Sequence, residues 1–437
     1  MDYAEFTSWM FNLERFGIKL GLENMTEFLG RIGNPHRSLR SVHVTGTNGK
    51  GSVCAFIAKM LDVHGLRVGL YTSPHLVDFR ERIMIGDEEI PEEDVVRIGL
   101  SLRKAADEMA SEDREKQLTF FEFTTGLAFE YFRERGVDVL VAEVGMGGRL
   151  DATNVLMPDV SVITRIGMEH TNYLGATIPD IAREKAGIIK TGVPVVTCER
   201  NPDSLAVISS TCRKKGSRLI RIDEDFRADT IEESMSGTEF EYSGWSRTRV
   251  RTNLLGSYQA INAATAIATV ELLHDRGLHV TVEEMRKGIE ETRWPGRLDV
   301  VSRRPLVIVD GSHNPDGVTT TANVLARLKT VPLTFVLGCM DDKDAHGIVS
   351  AIAPHSAKLI CTQARYKRAL PATKLAEIAR QHYDGPITVE TPSEKAFETG
   401  LGTVEGKGLC IIGSLYLVGE AIPWWKSKAG HGAPHKV

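Results

Sequence analysis

Ser41-Val42-His43-Val44-Thr45-Gly46-Thr47-Asn48-Gly49-Lys50-Gly51-Ser52 decides how the rest of the chain is read. The β-branched run Val42–Thr45 predicts a short buried strand. Gly46, Gly49 and Gly51 surround Lys50. A helical pattern follows from Val53 to about His64, with Val53, Phe56, Ile57, Met60 and Leu61 as its apolar positions. Strand, glycine loop and helix together form a phosphate site. Loop N–H groups turn inward, the helix N-terminus adds positive potential, a lysine reaches the outer phosphates, and Ser52 stands where a hydroxyl meets Mg²⁺. The spacing departs from G-x-x-x-x-G-K-[ST]: Val44 holds the first glycine's place, and Gly51 separates Lys50 from Ser52. On spacing alone, a tight turn with a surface lysine remains the competing reading.

The 437 residues suffice for two or three domains. Apolar residues make up 42% and charged residues 25%, the ordinary balance of a soluble globular protein. A net charge of −5 gives no basic excess for nucleic acid. Six scattered cysteines without a C-x-x-C pair argue against a zinc cage or disulfide framework. The first residues have no basic, apolar leader pattern, and no run of about 18 apolar residues occurs, so a cytoplasmic protein without a membrane span is expected.

Outward from the loop, apolar runs end again and again in chemically capable residues. Arg67–Tyr71 runs into Thr72-Ser73-Pro74-His75-Leu76. Pro74 disfavours helix, so Ser73 is expected on a loop at a strand's C-terminal end, where open α/β sheets bind ligands; an ordinary turn is the alternative. Thr119–Arg133 reads as an apolar helix whose aromatics are mostly core, although Phe121 and Phe123 near its start are candidates to line a flat ligand's pocket. Val137–Val144 is a strand carrying Glu143, followed by Gly145-Met146-Gly147-Gly148-Arg149-Leu150-Asp151-Ala152-Thr153-Asn154. An acid there is costly unless it is paired, on a metal, or capping loop amides. Val160–Ile166 ends in Gly167-Met168-Glu169-His170; a lone His after a strand is more often structural, but this one would share a sheet edge with Ser73 and Glu143. Lys185, on a predicted helix 177–190, reads by itself as a solvated lysine. Residues 221–250 predict peripheral hairpins.

Trp294-Pro295-Gly296-Arg297 breaks the helical pattern and sets a boundary. Domains of 1–295 and 296–437 are expected. Strands and helices alternate beyond it: Leu306–Val309 into Asp310-Gly311-Ser312-His313-Asn314-Pro315, then 333–338, 357–361, 387–390 and 409–412 into Gly413-Ser414. That alternation predicts a second, smaller parallel sheet. The polar tail 429–437 is expected to be unstructured.

Taken in order, Gly46–Ser52, Thr72–Leu76, Phe121–Thr124, Glu143–Asn154, His170, Lys185–Ile188, Asn262, Trp294–Arg297, Asp310–Pro315 and Gly413–Leu417 resemble the folylpolyglutamate synthase/dihydrofolate synthase family of the Mur ligase superfamily. The resemblance implies an α/β fold: a Mur-ligase-like P-loop domain with a mainly parallel sheet, plus a smaller Rossmann-like C-terminal domain. It implies an ATP-dependent ligase that joins L-glutamate to dihydropteroate, and to the γ-carboxylate of a reduced folate, through an acyl phosphate. An enzyme that only extends folate tails and, more distantly, a Mur-type ligase on another carboxylate are the alternatives; about 40 residues before the loop are too few for a cell-wall ligase's UDP-binding domain. A nucleotide-dependent switch is a rival of a different class.

The same resemblance assigns nucleotide contacts to Gly46, Thr47, Asn48, Gly49, Lys50, Gly51, Ser52, Asn262, Arg297 and Asp310. Mg²⁺ falls to Ser52, Ser73, Glu143 and His170, and catalytic roles to Lys50, Lys185, His313 and Ser414. The pterin is given to Phe121, Phe123, Asp151 and Ala152. It further implies that Lys185 can be carbamoylated, that a monovalent cation can take part, and that the protein works as a monomer.

Overall fold

In the computed structural model, residues 1–17, 19 and 21–429 are described, so all but the first residue of the tail 429–437 lies outside them. Eight strands build the larger sheet: β1 (Ser41–Thr45), β2 (Val68–Tyr71), β3 (Ile83–Ile85), β4 (Glu88–Glu89), β5 (Val139–Glu143), β6 (Val160–Ile163), β7 (Val195–Thr197) and β8 (Leu219–Arg221). Their order is β4-β3-β2-β5-β1-β6-β7-β8, with β3 and β4 antiparallel and the rest parallel. Every residue of β1 and β5 is buried, the consequence of helices covering both faces. Register pairs Val44 with Glu143 on one side and with Val162 on the other. Hence the loops after β1, β5 and β6 emerge side by side at one edge.

The phosphate-loop helix spans Lys50–Val63, starting at the loop lysine rather than at Val53. It is almost wholly buried beneath the alanine-rich helix Ser257–Leu273 and the helix Val282–Glu291. Alanines at 260, 263, 264, 266 and 268 let these helices approach closely, and Gly288 sits where a Cβ would meet the Met60 backbone at 2.6 Å. On the other face, the helix Phe120–Glu134 begins with a reciprocal Thr119–Glu122 capping box, which ends the preceding loop cleanly. Residues 227–252 form an antiparallel three-stranded sheet, β9 (Arg227–Ser234), β10 (Gly237–Ser243) and β11 (Arg247–Thr252). Tyr242 anchors it to the alanine-rich helix by donating to Glu271 at 2.6 Å.

The second sheet contains β12 (Asp299–Arg303), β13 (Leu306–Asp310), β14 (Leu333–Leu337), β15 (Ser356–Cys361), β16 (Ile387–Val389) and β17 (Leu409–Ile412), in the order β12-β13-β17-β14-β15-β16. Only β12 is antiparallel. Central β17 pairs with β13 and β14, so the loops beginning at Gly311, Gly338 and Gly413 leave one edge together. The six cysteines are buried and unpaired, with Cys54, Cys198 and Cys212 in the larger lobe and Cys339, Cys361 and Cys410 in the smaller. Among the described residues, no helix is long and apolar enough to cross a membrane.

Candidate active site

The glycine loop is held by its neighbours rather than by its own hydrogen bonds. Thr47 N–H donates to Arg165 O at 2.7 Å, and Thr47 Oγ1 both donates to Gly167 O and accepts from Gly167 N–H. Gly46 lies so close to β6 that a Cβ there would be 1.8 Å from Thr164 Oγ1. Gly49 adopts φ +95° and faces Asn262, whose Oδ1 would stand 2.7 Å from an added Cβ; Gly51 abuts the Trp294 ring. No side chain caps the helix that follows, which leaves its first N–H groups open to an anion. Lys50 folds back over the loop, donating to Thr47 O at 3.3 Å. Gln259 links the remaining pieces: its amide donates to Ser52 Oγ at 3.3 Å and its carbonyl oxygen accepts from Asn262 at 2.9 Å.

Lys185 is not solvated. It is 3% exposed and its Nζ donates to Gly46 O at 2.8 Å, from beneath the phosphate loop. Burial, reinforced by the charge on Lys50, pulls this amine from 10.5 down to about 7. Glu143 is buried at the end of β5, where Oε2 accepts the backbone N–H of Ser73 at 3.0 Å. Burial pushes its carboxyl up, against the opposing charges of Lys50, Arg297 and Arg82. His170 adopts φ +51° at the start of the short helix Thr171–Leu174, and burial lowers its imidazole to about 4. Lys50 is a charged neighbour of both Glu143 and His170.

Among the described residues, no group of three or more His, Cys, Asp or Glu side chains is placed to hold a metal unaided. Mg²⁺ does not need one, since it keeps several waters and takes one or two carboxylates together with phosphate oxygens. A buried Glu143 that accepts the Ser73 backbone N–H, beside the Ser73 loop, is the donor chemistry this ion prefers.

Facing the glycine loop are the loops of the smaller sheet. Asp310 ends β13, and its oxygens accept from Leu298 N–H at 2.8 Å, Ser312 N–H at 3.1 Å and Thr321 Oγ1 at 2.9 Å. Both oxygens thus brace the entry to this lobe, a duty the sequence did not suggest. Arg297 lies against Gly311. Ser414 is 1% exposed, and its Oγ accepts from Tyr416 N–H at 3.2 Å. Asn48 Nδ2 donates to Asp316 Oδ2 at 2.7 Å and Asn314 donates to Asn48 Oδ1 at 3.3 Å, so the two sheet edges meet across one cleft.

The residues expected to line the flat-ligand pocket differ in burial. Phe123 is fully buried, edge-on to Trp9 at 5.2 Å between ring centroids and beside Phe28; it is core. Ala152 is 5% exposed within the same cluster. Phe121 behaves differently. It is half-buried, and it covers Gly145 at the start of the glycine-rich loop. Asp151 caps the turn Ala152–Val155, accepting from Thr153 and, at 3.0 Å, from Met146 N–H; burial pushes its carboxyl up against those bonds.

Glu169 and Lys343 were missed by the sequence reading. Glu169 Oε1 lies 3.2 Å from His313 Nε2 and 3.3 Å from Lys343 Nζ. Although burial alone would raise the Glu169 carboxyl, the His313 contact and the charges on His313, Lys343 and Lys50 hold it far below the usual range. Arg82 was missed too: it is 8% exposed, donates to His75 Nδ1 at 2.8 Å and lies over the Phe120 ring. None of the three directly follows an apolar run, so the sequence offers no local signal for them.

Residues 44–270 match the Mur ligase middle domain, and residues 296–415 the Mur ligase, glutamate ligase domain. The chain is 36% identical to folylpolyglutamate synthase of Lacticaseibacillus casei over 421 residues, 95% of this chain and 97% of that one. It is 34% identical to dihydrofolate synthase/folylpolyglutamate synthase of Bacillus subtilis, covering 96% of this chain and 98% of the relative. Mycobacterium tuberculosis folylpolyglutamate synthase complexed with ADP superposes with a TM-score of 0.90 at 28% identity, over 97% of this chain and 99% of that one.

Proposed function

The chain belongs to the Mur ligase family, in its folylpolyglutamate and dihydrofolate synthase branch, and from that premise we propose that it couples ATP cleavage to amide formation between L-glutamate and a pterin-bearing acid. The acids are dihydropteroate and, for later additions, the γ-carboxylate of a reduced folate. The observation that carries this reading is the approach of Asn48 to Asp316, which puts the phosphate loop and the loops bearing Asp310, His313 and Ser414 on one cleft.

Phosphoryl transfer demands placement and charge neutralisation more than covalent help. The loop N–H groups, Lys50 and Ser52 hold the phosphates of ATP, while Asn262 and Arg297 border the nucleotide. A carboxylate oxygen of the pterin substrate attacks the γ-phosphorus, ADP leaves, and an acyl phosphate results. The neutral α-amine of glutamate then attacks the acyl carbon; the tetrahedral intermediate loses a proton and expels phosphate. Ser73, Glu143, His170 and the hydroxyl of Ser52 would hold Mg²⁺, which would supply charge neutralisation at the transferring phosphate. Lys185, once carbamoylated, presents an anion beneath a loop otherwise rich in cations. His313 and Ser414 lie on the glutamate side, and Phe121 with Asp151 on the pterin side. A monovalent cation and a monomeric working state complete the reading.

The test is purified protein with ATP, labelled glutamate, and either dihydropteroate or tetrahydrofolate. ADP release that requires both glutamate and a pterin, with product masses rising by glutamate residues, is expected. Turnover with tetrahydrofolate alone restricts the enzyme to tail extension, and turnover with neither refutes the proposal.

A further inference from the structure

The Glu169 carboxylate crosses the cleft to His313. Glu169 lies in the loop after β6 on the larger lobe, whereas His313 and Lys343 follow β13 and β14 on the smaller. One oxygen, Oε1, receives both contacts, at 3.2 Å from His313 Nε2 and 3.3 Å from Lys343 Nζ. Little solvent reaches the carboxylate and the lysine: side-chain exposure is 11% for Glu169 and 13% for Lys343, against 25% for His313. The other nitrogen of His313, Nδ1, faces Gly311 O at 2.8 Å. One edge of the ring is thus held against a carbonyl oxygen and the other against a carboxylate. Glu169 therefore fixes the orientation of the His313 ring as well as its place. It also lies in the field of three positive groups, His313, Lys343 and Lys50.

We propose that Glu169 is a positioning residue: it latches the smaller lobe onto the larger one and presents His313 and Lys343 in a fixed arrangement to the amino-acid substrate. The kinetic half of this inference rests on the ligase reading above; the closure half does not. Removing the latch leaves the phosphate-loop contacts to the nucleotide in place while the amino-acid side of the cleft loses its shape.

The test compares wild type with Glu169→Gln and Glu169→Asp. Glu169→Gln keeps the shape but loses the charge, and a charge-assisted contact of this kind governs affinity by about tenfold or more. The KM for glutamate should rise at least about tenfold while the Kd for ADP changes by less than about threefold, with partial recovery in Glu169→Asp. Small-angle scattering with a non-hydrolysable ATP analogue should show a more open Glu169→Gln than wild type. Unchanged KM for glutamate together with unchanged scattering overturns the proposal, as does an equal loss of ADP affinity. A wild type without turnover on any pterin refutes the ligase reading, and the scattering comparison then still decides the latch.

Discussion

Lys185 Nζ donates a 2.8 Å hydrogen bond to the carbonyl oxygen of Gly46, placing a buried amine directly under the phosphate loop. Its pKa of about 7 means that the neutral amine, the form able to add CO₂, grows as pH rises through neutrality. In that addition nitrogen bonds the CO₂ carbon and one proton leaves to solvent. A carbamate signal from ¹³C-bicarbonate is expected to strengthen with pH and to vanish in Lys185→Gln. Its absence up to about pH 9, two pH units above the Lys185 value, counts against the modification. The sign for stability follows from the same shift. The unfolded amine keeps its proton up to 10.5 and the folded one releases it above about 7, so this group's contribution to stability rises between those values.

Glu143→Gln should leave the melting temperature unchanged or slightly higher, because it removes a carboxylate that burial disfavours. Turnover should fall about 100-fold or more, the size of effect expected when a charge-stabilising group is lost from a transition state. Measuring kcat against Mg²⁺ concentration checks it: a mutant with wild-type kcat and Mg²⁺ dependence removes Glu143 from the metal site.

Phe121 and Phe123 should separate cleanly. Phe123→Ala empties a core position between Trp9 and Phe28 and should destabilise the protein by about 3–5 kcal/mol. Phe121→Ala, at a half-buried ring over Gly145, should cost less stability and raise the KM for the pterin. Denaturant melts and pterin titrations on both variants provide the comparison.

Asp310→Asn replaces an acceptor with a group that turns N–H toward Leu298 N–H or toward Ser312 and Thr321. A loss of about 1–3 kcal/mol is expected, the cost of leaving a buried donor unmatched. Because those bonds brace the start of the smaller lobe, proteolysis between residues 295 and 305 should quicken. A variant that weakens ATP binding without any loss of stability would make Asp310 a nucleotide ligand first and a brace second.

The two parallel sheets were legible because apolar runs alternated with helical patterns, and several of those runs ended in glycine or a charge. The β3, β4 and β12 strands were not: two or three residues carry no period, and β12 follows a break that reads as linker. The helix Ser393–Gly402 also went unread, hidden by its neighbouring Pro392 and its glycines. Residues two apart on a helix point to nearly opposite faces, which is why Phe123 lies in the core while Phe121 is half-buried over Gly145. Glu169 is another matter. Its partners lie 144 and 174 residues away, and only the meeting of the lobes brings them together.

The even division of six buried thiols, three under each sheet, gives the molecule two built-in reporters. A thiol reagent that cannot enter the native protein labels Cys339, Cys361 and Cys410 only when the smaller lobe opens, and Cys54, Cys198 and Cys212 only when the larger one does. Peptide mapping of modified cysteines over time therefore reads the unfolding of each half separately, without any engineered label.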